Sequence, residues 1–113
     1  MSQFYISLAE QLINLECVLR QQRLWADEEP SSEALASQQP FCIDTLTFPE
    51  WLQFVFLPRM QILVETKAAL PEKSDIAPMA EEYFKGLPLS GTEMVSILRK
   101  IDELLTRRRY MSS

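Results

Sequence analysis

At 113 residues, with 47% hydrophobic content and only two glycines, the chain is long enough to bury a core as one globular domain spanning 1–113, and too short for a second. It holds no histidine, which removes the commonest zinc ligand, the commonest general base and every Ser-His or Cys-His arrangement, so a non-enzymatic protein with no metal and no cofactor is expected. A formal charge of −5 argues against broad, sequence-independent nucleic-acid binding, because that affinity comes from Lys and Arg neutralising phosphates.

No apolar stretch approaches 18 residues without polar interruption, and the polar start MSQFYISLAEQ has neither the basic segment nor the apolar core of a signal peptide. A cytoplasmic protein without membrane association is the expectation. The two cysteines, Cys17 and Cys42, are then expected to be reduced and buried.

The first predicted element is a helix from about Gln3 to Trp25 with two apolar stripes. Tyr5, Leu8, Leu12, Leu15 and Leu19 form one, and Ile6, Ile13, Cys17 and Leu24 the other, so the helix should touch two neighbours. Ala9, Glu16 and Arg20 lie between the stripes, and Glu16 and Arg20 have the (i, i+4) spacing of a helical ion pair. Residues Ala26 to Leu46 follow as a connection of about twenty residues, a length usually reserved for functional or mobile loops. Ser31 and Ser32 can cap one helical turn over Glu33 to Ser37, while Phe41, Ile43 and Leu46 should pin the second half to the core.

The stretch Thr47 to Leu70 is the predicted centre of the fold. Thr47 and Glu50 read as a capping box with Pro49 in the first turn. Phe48, Leu52, Val55, Ile62 and Leu63 fill one face at 100° per residue, and Trp51, Phe54, Phe56 and Leu57 spread apolar surface around the others, as expected of a helix wrapped on all sides. Pro58 denies the Phe54 carbonyl its donor and should kink or split the helix before Leu70-Pro71 ends it. A short helix from about Pro78 to Lys85 should bury Met79, Tyr83 and Phe84 and stop at Gly86 as its C′ residue. Ser90-Gly91-Thr92-Glu93 reads as a second capping box. It opens a last helix, to about Arg108, whose inner stripe is Met94, Ile97, Leu98, Ile101, Leu104 and Leu105. With no repeat, no strand pattern and no glycine-rich loop, the expected fold is an all-α bundle of three long helices plus one or two short ones around a kinked central helix.

Arg59 is the leading candidate for chemistry, because the wheel puts it in the middle of the central apolar sector, where a bare guanidinium is very costly. It should find Glu16, or failing that Asp44, forming a structural ion pair or an anchor for a small anion or a partner carboxylate. Trp51, Phe54 and Phe56 point in different directions; they are core, or a binding patch where the bundle leaves one uncovered. Arg107, Arg108 and Arg109 form a basic chain end, a solubilising terminus or a weak contact to RNA or an acidic partner.

Leu15-Glu16 with Leu19-Arg20, Trp25, Glu29-Pro30, Gln39-Pro40-Phe41, Asp44-Thr45, Glu50-Trp51-Leu52-Gln53, Pro58-Arg59-Met60, Leu70-Pro71 and Ala77-Pro78 together resemble the YqcC-like family of small helical bacterial proteins. The resemblance supplies no catalytic residue. It implies an accessory role, since genes of the family often sit beside that of a tRNA pseudouridine synthase. The same motifs contain Glu16, Asp44, Trp51 and Arg59, which the resemblance groups as one cluster. The resulting expectation is a protein-interaction module that uses the Trp51 and Arg59 region with the loop from Asp27 to Leu46, its partner being that synthase; the alternatives are an RNA accessory working through Arg107 to Arg109 and an anion binder at Arg59.

Overall fold

A computed structural model describes residues 3–68, 74–87 and 91–111, with the side chains of the last helix described as far as Thr106. Among the described residues six α-helical segments follow one another: α1 (Gln3–Gln21), α2 (Ser32–Leu35), α3 (Phe48–Trp51), α4 (Leu57–Thr66), α5 (Ile76–Phe84) and α6 (Thr92–Met111). A 3₁₀ turn covers Pro40–Cys42, and a π-helical turn, Leu52–Phe56, joins α3 to α4. The fold is all-α, and no strand occurs among the described residues. α6 packs between α1 and α5, while the central helix closes the ring, with α3 against α5 and α4 against α1.

The core fills this ring. Leu8, Leu12, Leu15, Val18 and Leu19 of α1 meet Leu52, Phe56, Leu57 and Met60 of the central helix, together with Ile76, Ala77, Ala80 and Phe84 of α5. From α6 come Met94, Ile97, Leu98, Ile101 and Leu105. The predicted stripe of the last helix is therefore the buried one, apart from the half-buried Leu104. On α1 only the first stripe is buried. Ile6, Ile13 and Cys17 are exposed, because α4 and α6 flank the first stripe on either side instead of covering one stripe each. Both cysteines are unpaired, and Cys17 lies outside the core that was expected to hold it.

The two long connections out of α1 and α4 begin with the same device. Arg23 and Lys67 take left-handed conformations, at φ 59° and 53°. The next amide in each case, Leu24 or Ala68, donates to the carbonyl five residues back, Leu19 at 2.8 Å and Leu63 at 3.0 Å. These are Schellman stops made without glycine. They end α1 and α4 earlier than Trp25 and Leu70. The Leu70-Pro71 stop lies outside the described residues, as does Ser90 of the second capping box. The first capping box is present: Thr47 Oγ1 accepts from the Glu50 amide, and Glu50 Oε1 from the Thr47 amide at 2.8 Å.

Pro58 explains the π turn. In a regular helix its ring would press on the Phe54 carbonyl, for which it has no N–H to offer. Instead the turn widens, so that the Leu57 amide donates to the Leu52 carbonyl, five residues back, while φ and ψ at Trp51, Leu52, Phe56 and Leu57 stay helical. The irregularity expected at Pro58 is thus a widened turn just before it. One additional residue in a turn sets back everything downstream by as much as one residue's rotation, roughly 100°. Met60 swings into the core as a result, and Arg59 and Ile62 swing out. The central helix is not wrapped on all sides, since Pro58, Arg59, Gln61, Ile62 and Glu65 face solvent.

Two buried polar side chains tie the ring together. Gln53, 7% exposed within the π turn, donates through Nε2 to the Ala26 carbonyl at 2.9 Å and accepts from the Ala26 amide at 2.7 Å, so it takes both backbone groups of the residue where the long loop begins. Asp102, 8% exposed on α6, accepts from the amides of Ile76 at 2.9 Å and Ala77 at 2.8 Å and from the Ser74 hydroxyl. It caps α5 from another helix, while Asp75, at the capping position, makes no such bond. α5 accordingly starts two residues before Pro78, and its buried face is Ile76, Ala77, Ala80 and Phe84, with Met79 and Tyr83 half-buried. Its end also differs from expectation, because Gly86 does not take a positive φ. Gly91 has a different purpose: a Cβ there would lie 2.5 Å from Cγ and Cδ2 of the buried Phe84.

Three measurements of stability follow from these contacts. Asp102→Ala strands two buried amides and should lower the unfolding free energy in a urea titration by about 2–4 kcal/mol, whereas Asp75→Ala should change it by under about 0.5 kcal/mol; equal losses would contradict the assignment of the cap to Asp102. Gly91→Ala should cost roughly 1–3 kcal/mol, since the Phe84 ring has to move. Gln53→Leu keeps the apolar shape but leaves Ala26 unpaired, so hydrogen exchange at the Ala26 amide should accelerate along with a loss of about 1–3 kcal/mol; an unchanged exchange rate would show that Gln53 does not hold the loop.

Candidate interaction surface

The connection from Ala26 to Leu46 is clamped at Ala26 and holds itself by internal bonds from Ser31 onward. Ser31 Oγ accepts from the Ala34 amide at 3.1 Å and starts α2, one residue earlier than the serine-rich sequence implied. Thr45 Oγ1 donates to the Ala34 carbonyl at 2.7 Å, and the Ser37 hydroxyl donates to Asp44. Each half of the loop therefore holds the other, and the segment returns to the core through the buried Cys42 and Leu46.

Between those anchors the backbone does something uncommon. Phe41 and Cys42 are both left-handed, at φ 58° and 50°, a conformation that bulky residues adopt rarely and at a cost of about 1–3 kcal/mol each. What this achieves is visible in the side chains. The Phe41 ring meets Trp51 edge to face at 4.8 Å, and Trp51 stacks on Phe48 at 6.3 Å and on Phe56 at 5.6 Å. Phe48 meets Tyr83 of α5 at 6.0 Å. Edge-to-face and offset pairs at these distances add about 0.5–1.5 kcal/mol each beyond the area they bury. The aromatic surplus of the central helix is thereby knitted to the loop and to α5.

Beside the cluster lies a pocket of about 270 Å³, lined chiefly by Phe41, Ile43, Leu46, Phe48, Met79 and Tyr83 and edged by Glu82 and Thr47. Ile43, expected to pin the loop, is instead 64% exposed. Among the described residues the other large apolar side chains more than half exposed, Ile13 at 64% and Ile62 at 59%, sit on α1 and α4.

The residues singled out from the sequence do not form one cluster. Glu16 pairs with Arg20 at 3.0 Å on the partly exposed face of α1, and the Arg20 guanidinium lies 4.3 Å over the Trp25 ring. Such a surface pair contributes a few tenths of a kcal/mol. Asp44 is exposed and engaged with Ser37. Arg59 is exposed and is not paired with Glu16 or Asp44, because the π turn rotates it out of the apolar sector. Trp51 and Phe54 are half-buried and Phe56 is buried. The backbone of Arg107, Arg108 and Arg109 continues α6, and their side chains lie outside the description. Sequence reasoning missed Gln53 and Asp102, and it gave Met79, Tyr83 and Glu82 no role at a surface. For Asp102 a signal was present, since it shares a face with Leu98 and Leu105.

Residues 7–104 match a family model described as tRNA pseudouridine synthase C. An uncharacterized protein of Haemophilus influenzae is 46% identical over 76 residues, which cover 67% of this chain and 72% of that one. The uncharacterized protein YqcC of Escherichia coli is 36% identical over 94 residues, 83% of this chain and 84% of its own. A tRNA pseudouridine synthase C of Pectobacterium carotovorum is 38% identical over 77 residues; these make up 68% of this chain and 20% of that longer protein. The solution NMR structure of E. coli YqcC superimposes with a TM-score of 0.80 at 33% identity, covering 93% of this chain and 90% of that structure. Family model, relatives and solved fold agree, and the chain belongs to the YqcC-like family.

Proposed function

We propose that this chain is a non-enzymatic protein-interaction module whose partner is a tRNA pseudouridine synthase. The observation that carries this reading is the Pectobacterium protein. There, a segment 38% identical to this chain accounts for 20% of a longer polypeptide that bears the synthase name. Two units joined in one polypeptide are held at millimolar effective concentration. Where the same units are separate chains, an interface has to supply the proximity that the linker gave.

The chemistry of the chain supports an adaptor over a catalyst. It has no histidine, and the two buried polar side chains among the described residues, Gln53 and Asp102, are both engaged, at the Ala26 backbone and at the start of α5 with Ser74. An anion site at Arg59 loses its motivation, because an exposed guanidinium is screened by water and salt. The charge of −5 weighs against RNA as the main partner, though it suits association with a basic, RNA-binding protein.

Titration calorimetry with the tRNA pseudouridine synthase C of the same bacterium, both proteins purified free of nucleic acid, tests the proposal. Saturable one-to-one binding at roughly micromolar Kd or tighter is expected. Absence of binding at about 100 μM would contradict it, and binding that appeared only when tRNA was added would transfer the argument to RNA.

A further inference from the structure

We infer that the aromatic pocket between the 3₁₀ turn and α5 is a socket for one bulky apolar side chain presented on a basic segment of the partner protein. The partner's identity rests on the proposed function; the chemistry of the occupant comes from the pocket itself.

Size comes first. A volume of about 270 Å³, at the lower edge of the roughly 300–1,000 Å³ typical of small-molecule sites, is room enough for one large side chain. It suits a protein anchor, the kind of buried aromatic or aliphatic side chain that dominates interface energy. The walls are of matching character: Phe41, Phe48, Met79 and Tyr83 are apolar or aromatic, and Ile43 stands at the rim with 64% of its surface exposed. Methionine and aromatic walls adapt readily to an apolar guest.

The pocket is also built in advance. The left-handed Phe41 and Cys42 are kept in place by the bonds from Thr45 to Ala34 and from Ser37 to Asp44, and by the edge-to-face contact of Phe41 with Trp51. A site whose loop is already ordered loses less conformational freedom on binding.

Charge selects the occupant. Glu82 lines the pocket, the Glu50 carboxylate is hydrogen-bonded to the amide of the lining residue Thr47, and Asp44 follows Ile43 directly in the chain. No Lys or Arg is among the lining residues, and the chain as a whole carries −5. The nearby cations belong elsewhere, since Arg99 is paired with Glu81 and Lys85 lines the groove on the α6 side of α5. An apolar anchor flanked by Lys or Arg complements this rim. A second copy of the chain does not, because a two-fold contact through the same patch would set its carboxylates against one another.

The test is calorimetry with the purified pseudouridine synthase and four forms of this chain: wild type, Ile43→Asp, Glu82→Lys and Ile13→Asp. The three substitutions are at exposed positions, and circular dichroism of each form serves as the check that it is folded. Expected are a tenfold or greater weakening for Ile43→Asp, weaker binding with a shallower salt dependence for Glu82→Lys, and an unchanged Kd for Ile13→Asp. If wild type binds and both pocket variants bind within twofold of it, the socket is wrong while the partner stands. If wild type does not bind the synthase at all, the partner reading fails and takes the socket with it. Methyl NMR signals of Ile43 and Met79 that shift with concentration of this chain alone would assign the pocket to a second copy and overturn the inference.

Discussion

The widened turn at Leu52–Phe56 sets both the phase of the central helix and the path of the long loop. It exists because Pro58 cannot complete a regular helix, and it acts in two directions. Downstream it resets the helical phase, so that Leu57 and Met60 enter the core while Arg59 turns to solvent. Within the turn itself Gln53 points inward and takes both backbone groups of Ala26, which fixes where the long connection leaves α1. The loop can then hold itself, place Phe41 on Trp51 and close one side of a pocket.

The all-α class, the capping box at Thr47, the buried stripe of α6 and the folded turn after Ser31 were all legible in the sequence, because each rests on contacts three or four residues apart. What failed depends on long-range partners or on a change of phase. Arg59 was misplaced because a 100° wheel assumes an unbroken α-helix, and one widened turn invalidates it for every later residue. Ile6 and Ile13 form a regular stripe, but nothing local says that no helix covers it. Gly86 looked like a helix stop, and α5 ends without needing a left-handed residue there. Arg23 and Lys67 end their helices in that conformation with none of the usual compositional signals.

Asp102 teaches a complementary lesson. A carboxylate within an apolar stripe was there to be noticed, and the way such a group avoids the cost of burial is to find donors. Its donors are the first amides of α5, which fixes the start of that helix and therefore the height of Met79, Glu82 and Tyr83 along the bundle. The candidate surface is thus positioned from both sides, by Gln53 through the loop and by Asp102 through α5. Neither anchor is itself exposed, which separates the residues that shape the surface from those that would meet a partner.

Site-specific photo-crosslinking distinguishes the aromatic pocket from the other exposed faces as the surface that meets the synthase. A photo-reactive amino acid is placed at position 43 in one preparation and at position 13 in another, and each is irradiated in the presence of the purified tRNA pseudouridine synthase. A socket at the pocket gives a covalent adduct from position 43 to a basic segment of the synthase, with little or none from position 13. Equal yields from the two positions, or an adduct from position 13 alone, would contradict it.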